Sequence, residues 1–358
     1  MLFLPSVVLV ATFIGLANAA KATNEERKLK LIDDDSGRLG HHRELSAVAE
    51  KANVVNFLET NFGNDPAMKA KFLRLGFHDC VGGCDGCVDL SEPDNNGLEL
   101  PIDELAPIAA SVQTLTRADV WALAATWSAE TMQVPATAME FPFNLYGRVD
   151  CGGVEMAKAG PIRQMPSTEF TTHEITNFFA ENFDFSIRET VVIMGAHSVG
   201  AAAVTNSGYD GPNGWDTSND VLDNDYYHQL VGKVGQLDNA PAQGTKWHQV
   251  EIDNSELPDI GNEVQWVRDT MEVGEIFMLH ADVALVRNNE GLFNENDDGF
   301  VTCSFFGGNV NNRCPMATTT IDIMSEYRED EALWVEDFRD TLAKLLSAGH
   351  TCDFELCA

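Results

Sequence analysis

The chain has 358 residues, 44% of them hydrophobic, which is enough for a large core in one big domain or two lobes and too apolar for a disordered protein. Lys and Arg number 23 against 56 Asp and Glu, a formal charge of -33 that repels nucleic acid and anionic membrane surfaces. Nucleic-acid and membrane partners are therefore not expected, and the acidity favours solubility, cationic partners or a salty medium.

Residues 2–16 form an apolar run followed by Ala17-Asn18-Ala19, which reads as a signal peptide over 1–19, although its start carries no Lys or Arg. The run is short for a membrane span and no later stretch is long and apolar enough to be one. Residues 20–43, with Asp33-Asp34-Asp35, are polar and read as a flexible leader or propeptide. A domain over 44–350 and a tail over 351–358 follow. Export and eight cysteines imply disulfides. The local pairs are Cys303 with Cys314 and Cys352 with Cys357. Cys80, Cys84 and Cys87 crowd one loop, so at least one reaches elsewhere, with Cys151 the remaining partner; a zinc ion held by the three crowded thiols is the alternative.

Amphipathic helical spacing covers 47–62, 67–79, 114–132, 171–183 and 335–348. Strand signals are few and short. Gly-, Asp- and Asn-rich loops are expected at 81–97, 206–224 and 288–298. The fold class is mainly α.

The helix over 67–79 closes on Arg74-Leu75-Gly76-Phe77-His78-Asp79-Cys80. A four-residue step puts Arg74 and His78 on one helical face. Breaking a peroxide bond needs such a pair: an imidazole that takes a proton from one oxygen and returns it to the other, and a cation that stabilises charge on the leaving oxygen. The string resembles the distal signature of the plant-type haem peroxidase superfamily. That resemblance implies a two-lobed helical fold with haem b between a distal and a proximal lobe, His78 as distal base, Arg74 as distal cation and Phe77 as an aromatic lid over the haem. It also implies Asn95, in Asn95-Asn96-Gly97-Leu98, as the acceptor that fixes the His78 tautomer.

The apolar run 191–200 contains a single histidine, His197, and resembles the proximal signature of the same superfamily, especially its cytochrome c peroxidase and ascorbate peroxidase branch. His197 is then the fifth iron ligand. Asp282, in a segment similar to the one that carries the family's proximal carboxylate, is its partner, orienting the ring and raising its basicity. Ser207-Gly208-Tyr209-Asp210-Gly211-Pro212 also matches that branch, which continues directly into a Trp packed on the proximal histidine. Here Asn213-Gly214-Trp215 follows, so either Trp215 fills that role across a two-residue insertion or Asn213 occupies the position. The insertion is favoured by the register that follows.

Oxygen-rich side chains spaced along a loop suit a hard cation. Ser198, Asp216, Ser218, the Val221 carbonyl and Asp223 reproduce the family's proximal cation spacing, and two carboxylates favour calcium. Asp79, the Gly83 carbonyl and Asp85 fall where secreted branches bind a distal calcium, but Cys87 stands where those branches use Ser and the loop is one residue shorter.

The resemblance implies a secreted haem b peroxidase that reduces hydrogen peroxide and oxidises a small donor in one-electron steps. Asn206 stands in a segment where ascorbate enzymes carry an Arg, which argues against ascorbate. Trp121, Trp127, Trp247, Trp266 and Trp334 are candidates for a surface radical site, most of them expected in the core. The competing reading is a non-catalytic extracellular calcium- or haem-binding protein that kept the fold.

Overall fold

The computed structural model describes residues 35–348 apart from 82, 144–145, 154–156, 161–162, 232–246, 258–260, 271, 289–291, 296–300 and 305–315. The expected signal peptide, leader residues 20–34, the tail over 351–358 and the Cys303–Cys314 and Cys352–Cys357 pairings lie outside what is described.

Four helices come first: α1 (Asp35–Phe62), α2 (Pro66–Cys80), α3 (Glu99–Ala109) and α4 (Arg117–Thr131). The α2 start is written locally, because Asp65 accepts from Met68 N at 2.9 Å and Pro66 takes the first turn, where no amide proton is needed. Thr116 and Asp119 form a reciprocal capping box on α4. That helix is buried on almost every side, and α2 crosses it closely. A Cβ on Gly76 would come within 2.6 Å of Ala125 Cβ, so glycine is what lets the two backbones approach.

The second half carries α5 (Thr172–Phe183), α6 (Ile187–Met194), a 3-10 turn (Gly195–Ser198), α7 (Val204–Ser207), α8 (Asp225–Val231), α9 (His280–Ala284), α10 (Ile321–Glu329) and α11 (Glu331–Leu346). Capping boxes start α5 (Thr171, Glu174) and α6 (Ser186, Glu189). Between α8 and α9 lies an antiparallel meander of β1 (His248–Ile252), β2 (Glu263–Thr270) and β3 (Gly274–Met278), with Val250 opposite Gln265 and Trp266 opposite Met278. A second pair, β4 (Leu292–Glu295) and β5 (Val301–Ser304), follows α9.

One core runs through both halves, from Leu58, Phe72 and Trp121 to Val192, Tyr227 and Phe338. The α11 helix spans them. Its Trp334 Nε1 donates to Val192 O on α6 at 3.3 Å, and Leu346 Cδ2 would be 3.3 Å from a Cβ on Gly76 in α2.

The architecture is mainly α, as expected, with differences at the edges. Residues 35–43, read as leader, continue α1, and β4 falls inside the segment read as the loop 288–298. Two disulfides form, Cys80–Cys84 and Cys87–Cys151. They consume the thiols that a zinc site would need. No helix among the described residues is long and apolar enough to cross a membrane.

Candidate active site

Distal and proximal segments adjoin. A Cβ on Gly200 would lie 3.2 Å from Ala70 Cβ on α2, and one on Gly97 would lie 2.8 Å from Asn206 Nδ2, so the loops that follow His197 and Asn95 border common ground.

On the distal side His78 is buried near the end of α2, with Nδ1 2.8 Å from Asn95 Oδ1. Asn95 Nδ2 donates to Asp89 O at 2.9 Å, which fixes the amide so that its oxygen faces the imidazole. His78 Nδ1 therefore carries the proton and Nε2 is the basic nitrogen. Burial, then the neighbouring Arg74 charge, push the His78 pKa down to about 3, with the Asn95 hydrogen bond opposing. Arg74 Nη1 and Nη2 donate to Asn96 O at 3.0 Å and Asp94 O at 2.7 Å, so the loop that holds Asn95 also anchors the guanidinium. Burial lowers its pKa to about 10, which leaves it cationic at neutral pH. Phe77 leans on Phe179 and Phe183 of α5, with ring centroids 6.2 and 6.5 Å away.

On the proximal side His197 sits in the 3-10 turn after α6 with its side chain 31% exposed, and its Nδ1 is 2.8 Å from Asp282 Oδ1. A carboxylate only accepts, so Nδ1 carries the proton and Nε2 is left to bind a metal. Asp282 is fully buried, and its Oδ2 accepts from Leu279 N at 2.8 Å. The Trp215 ring stacks on His197 at 3.9 Å and 9°, and against Phe277 at 4.1 Å. Asn213 turns away and donates to Glu275 O at 2.8 Å. Gly214, at φ +92°, makes the turn that brings Trp215 round.

Tyr226 was not foreseen as a site residue. Its phenol donates to Asp282 Oδ1 at 2.8 Å, and burial, then Asp282, raise its pKa well above the ordinary value. The Tyr226-Tyr227 string was visible; that the hydroxyl reaches a carboxylate 56 residues away was not.

The proximal cation residues converge. Ser198 Oγ lies 2.7 Å from Asp216 Oδ2, 3.1 Å from Asp223 Oδ1 and 3.3 Å from Val221 O, and Ser218 Oγ donates to Asp223 Oδ2 at 2.8 Å. One hydroxyl proton cannot serve three oxygens at once. Burial raises the Asp216 pKa to about 8 and moves Asp223 upward. An oxygen set of this kind fits a hard cation.

The residues expected to hold a distal calcium also meet, but around a side chain. Arg163 Nη2 pairs with Asp85 Oδ1 at 2.5 Å, and a Cβ on Gly83 would lie 3.4 Å from the same nitrogen. Burial, then Asp85, raise the Asp79 pKa to about 7, with Arg163 opposing. Trp121, Trp127, Trp266 and Trp334 are buried, as expected of most of them, and Trp247 is half-buried.

The distal base with its acceptor, and the uncommitted Nε2 of a carboxylate-paired imidazole beside a stacked indole, fit a haem. The family model described as peroxidase matches residues 54–292, a stretch that contains Arg74, His78, His197 and Asp282. A protein of Debaryomyces hansenii named for heme binding and peroxidase activity is 26% identical over 299 residues, 80% of this chain and 56% of its own. A mitochondrial cytochrome c peroxidase of Aspergillus fumigatus is 25% identical over 304 residues, 81% of this chain and 66% of its own. Peroxidase 18 of Arabidopsis thaliana is 33% identical over 196 residues, 50% of this chain and 57% of its own. The chain thus spans between about half and two thirds of the length of these relatives. With the family model covering more than half of the sequence, the chain belongs to the peroxidase family, that of the plant-type haem peroxidases.

Proposed function

We propose that this chain is a haem b peroxidase that reduces hydrogen peroxide and takes electrons singly from a small donor. The observation that carries the reading is the pairing of both histidines: His78 with Asn95 and His197 with Asp282, each at 2.8 Å. Haem held by His197 Nε2 would supply the iron and the redox equivalents. His78 Nε2 accepts the proton of the incoming peroxide and delivers it to the leaving oxygen, while Arg74 offsets the negative charge that grows there. Asp282 orients the His197 ring and strengthens it as a ligand. Phe77, Trp215 and Phe277 keep the two faces apolar.

Calcium at Ser198, Asp216, Ser218, Val221 and Asp223 belongs to the same reading, supported by the convergence of their oxygens. Export to an oxidising space is supported by the two disulfides. A non-catalytic binding protein would have no need for the Arg74, His78 and Asn95 set, and nothing in the comparisons favours it.

The test is an absorption spectrum of haem-supplemented protein before and after one equivalent of hydrogen peroxide, with His197→Ala and His78→Leu alongside. The wild type should show a Soret band that shifts with peroxide, altered or lost in His197→Ala. His78→Leu should slow the peroxide step by about 10²–10⁴-fold. A wild type with no haem band would return the binding-protein reading, and unchanged peroxide cleavage in His78→Leu would remove that residue from the mechanism.

A further inference from the structure

The last turn of α2 ends in a knot of oxygens: the Asp79 carbonyl, the Asp79 carboxylate and the Asp85 carboxylate. Asp79 is 1% exposed. Its Oδ1 accepts from Cys87 N at 3.0 Å, and Cys151 N donates to the Asp85 backbone carbonyl at 3.0 Å, so both halves of the Cys87–Cys151 disulfide are hydrogen-bonded to the two aspartates. Two carboxylates held this close in a half-buried place repel and demand a positive charge.

That charge is already present. Arg163, with a side chain 10% exposed, sends Nη2 to Asp85 Oδ1 at 2.5 Å and Nη1 to the Asp79 carbonyl at 2.5 Å, with Asp79 Oδ1 3.8 Å from Nη1. Calcium takes oxygen ligands at about 2.3–2.6 Å in an open cage of six to eight. The guanidinium already sits against the oxygens such a cage would use, and two cations cannot share them. Calcium does not fit the distal residues of this chain.

We propose that Arg163 is the resident cation of the distal site, a tethered charge in place of a metal ion. By taking the Asp79 carbonyl it caps the negative end of α2 one residue after His78. By pairing with Asp85 it ties that helix end to the loop behind it. Arginine suits the task because its planar fork reaches two acceptors at once and never loses its proton. The consequence is an asymmetric molecule, with a proximal lobe that answers to metal supply and a distal lobe that does not. The claim stands apart from the peroxidase reading, since it is tested by counting metal and not by turnover.

The experiment measures calcium per chain by elemental analysis after equilibration in calcium buffer and removal of free ion, for wild type, Asp85→Asn and Arg163→Ala. Asp85→Asn should carry the same calcium as wild type. Arg163→Ala, with the cage vacated, should gain one calcium per chain and show a melting temperature that falls with chelator and recovers with calcium beyond any response of the wild type. Loss of one calcium from Asp85→Asn would make the distal site a metal site and overturn the proposal, as would an Arg163→Ala protein that folds and takes up no additional calcium. Should Arg163→Ala fail to fold, the comparison of wild type with Asp85→Asn still decides.

Discussion

Tyr226 and His197 share one oxygen: the phenol and the imidazole Nδ1 each lie 2.8 Å from Asp282 Oδ1. An oxygen divided between two donors pulls less on either, so the tyrosine tempers the charge that Asp282 lends to His197, the proposed axial ligand. Tyr226→Phe should tighten the Asp282–His197 bond, make the imidazole more electron-rich and lower the iron reduction potential of haem-loaded protein. One hydrogen bond of about 1 kcal/mol corresponds to a shift on the order of 40 mV for one electron. Spectroelectrochemistry reads it, and a potential that rises would contradict the assignment.

In the proposed peroxide reaction, His78 sets the acid limit. With its folded pKa near 3, His78 stays neutral and basic down to strongly acid pH. An unfolded histidine titrates near 6.5. Between those values the unfolded chain binds the extra proton, so the His78 contribution to stability is in place above about pH 6.5 and is lost as pH falls toward 3. Arg74 is the second cause of the depression. Arg74→Leu should therefore move the acid limb of the peroxide reaction to higher pH, by less than the whole depression because burial remains. Stopped-flow rates across pH give the answer; a limb that moves to lower pH would reject the coupling.

Calcium on the proximal oxygens, as proposed, would bring metal dependence. With calcium at a hundred times its dissociation constant the folded state gains about 2.7 kcal/mol. Chelation should lower the melting temperature of the wild type, and Asp216→Asn should melt like chelated wild type and ignore the chelator. A wild type indifferent to chelation would mean that these carboxylates sit protonated, in line with the upward push on Asp216.

The Cys87–Cys151 bridge closes a separation of 64 residues. Loop-closure entropy assigns it about 4 kcal/mol. Replacing both cysteines by serine should reduce unfolding free energy by that order in urea titration. A loss below about 1 kcal/mol would show that the Asp79–Arg163–Asp85 knot holds the loop without it.

Much of the site was readable because its signals are local. The Arg74–His78 step lies within one helix, and His197 and Asp282 each sit in a short distinctive string. The tertiary partners Asn95 and Asp282 were readable only through the family resemblance, and those outside its motifs were not. Arg163 meets a carbonyl 84 residues away, and nothing beside it in sequence announces that contact. The α3 helix was hidden by its prolines: Pro101 lies in the first turn, where no amide proton is needed, but Pro107 lies inside the helix, where a proline reads as a break. The β1–β3 meander escaped because its strands are short and take polar residues into buried places, as Gln265 does to reach Asp210 N and O.

The α11 helix fastens the two halves. Besides Trp334 on Val192, its Leu346 carbonyl takes Arg148 Nη2 at 2.6 Å and its Lys344 pairs with Glu189 of α6 at 2.8 Å. Helix α11 begins roughly 250 residues after His78, which at translation speeds of about 5–20 residues per second is a delay on the order of tens of seconds. Through that interval a nascent chain holds the His78 segment, and later the His197 segment, joined by their direct contacts at Gly200–Ala70 and Gly97–Asn206 but without the α11 brace. A chain stalled short of α11 would lack the Trp334, Lys344 and Leu346 contacts that tie α6 and Arg148 together across the molecule.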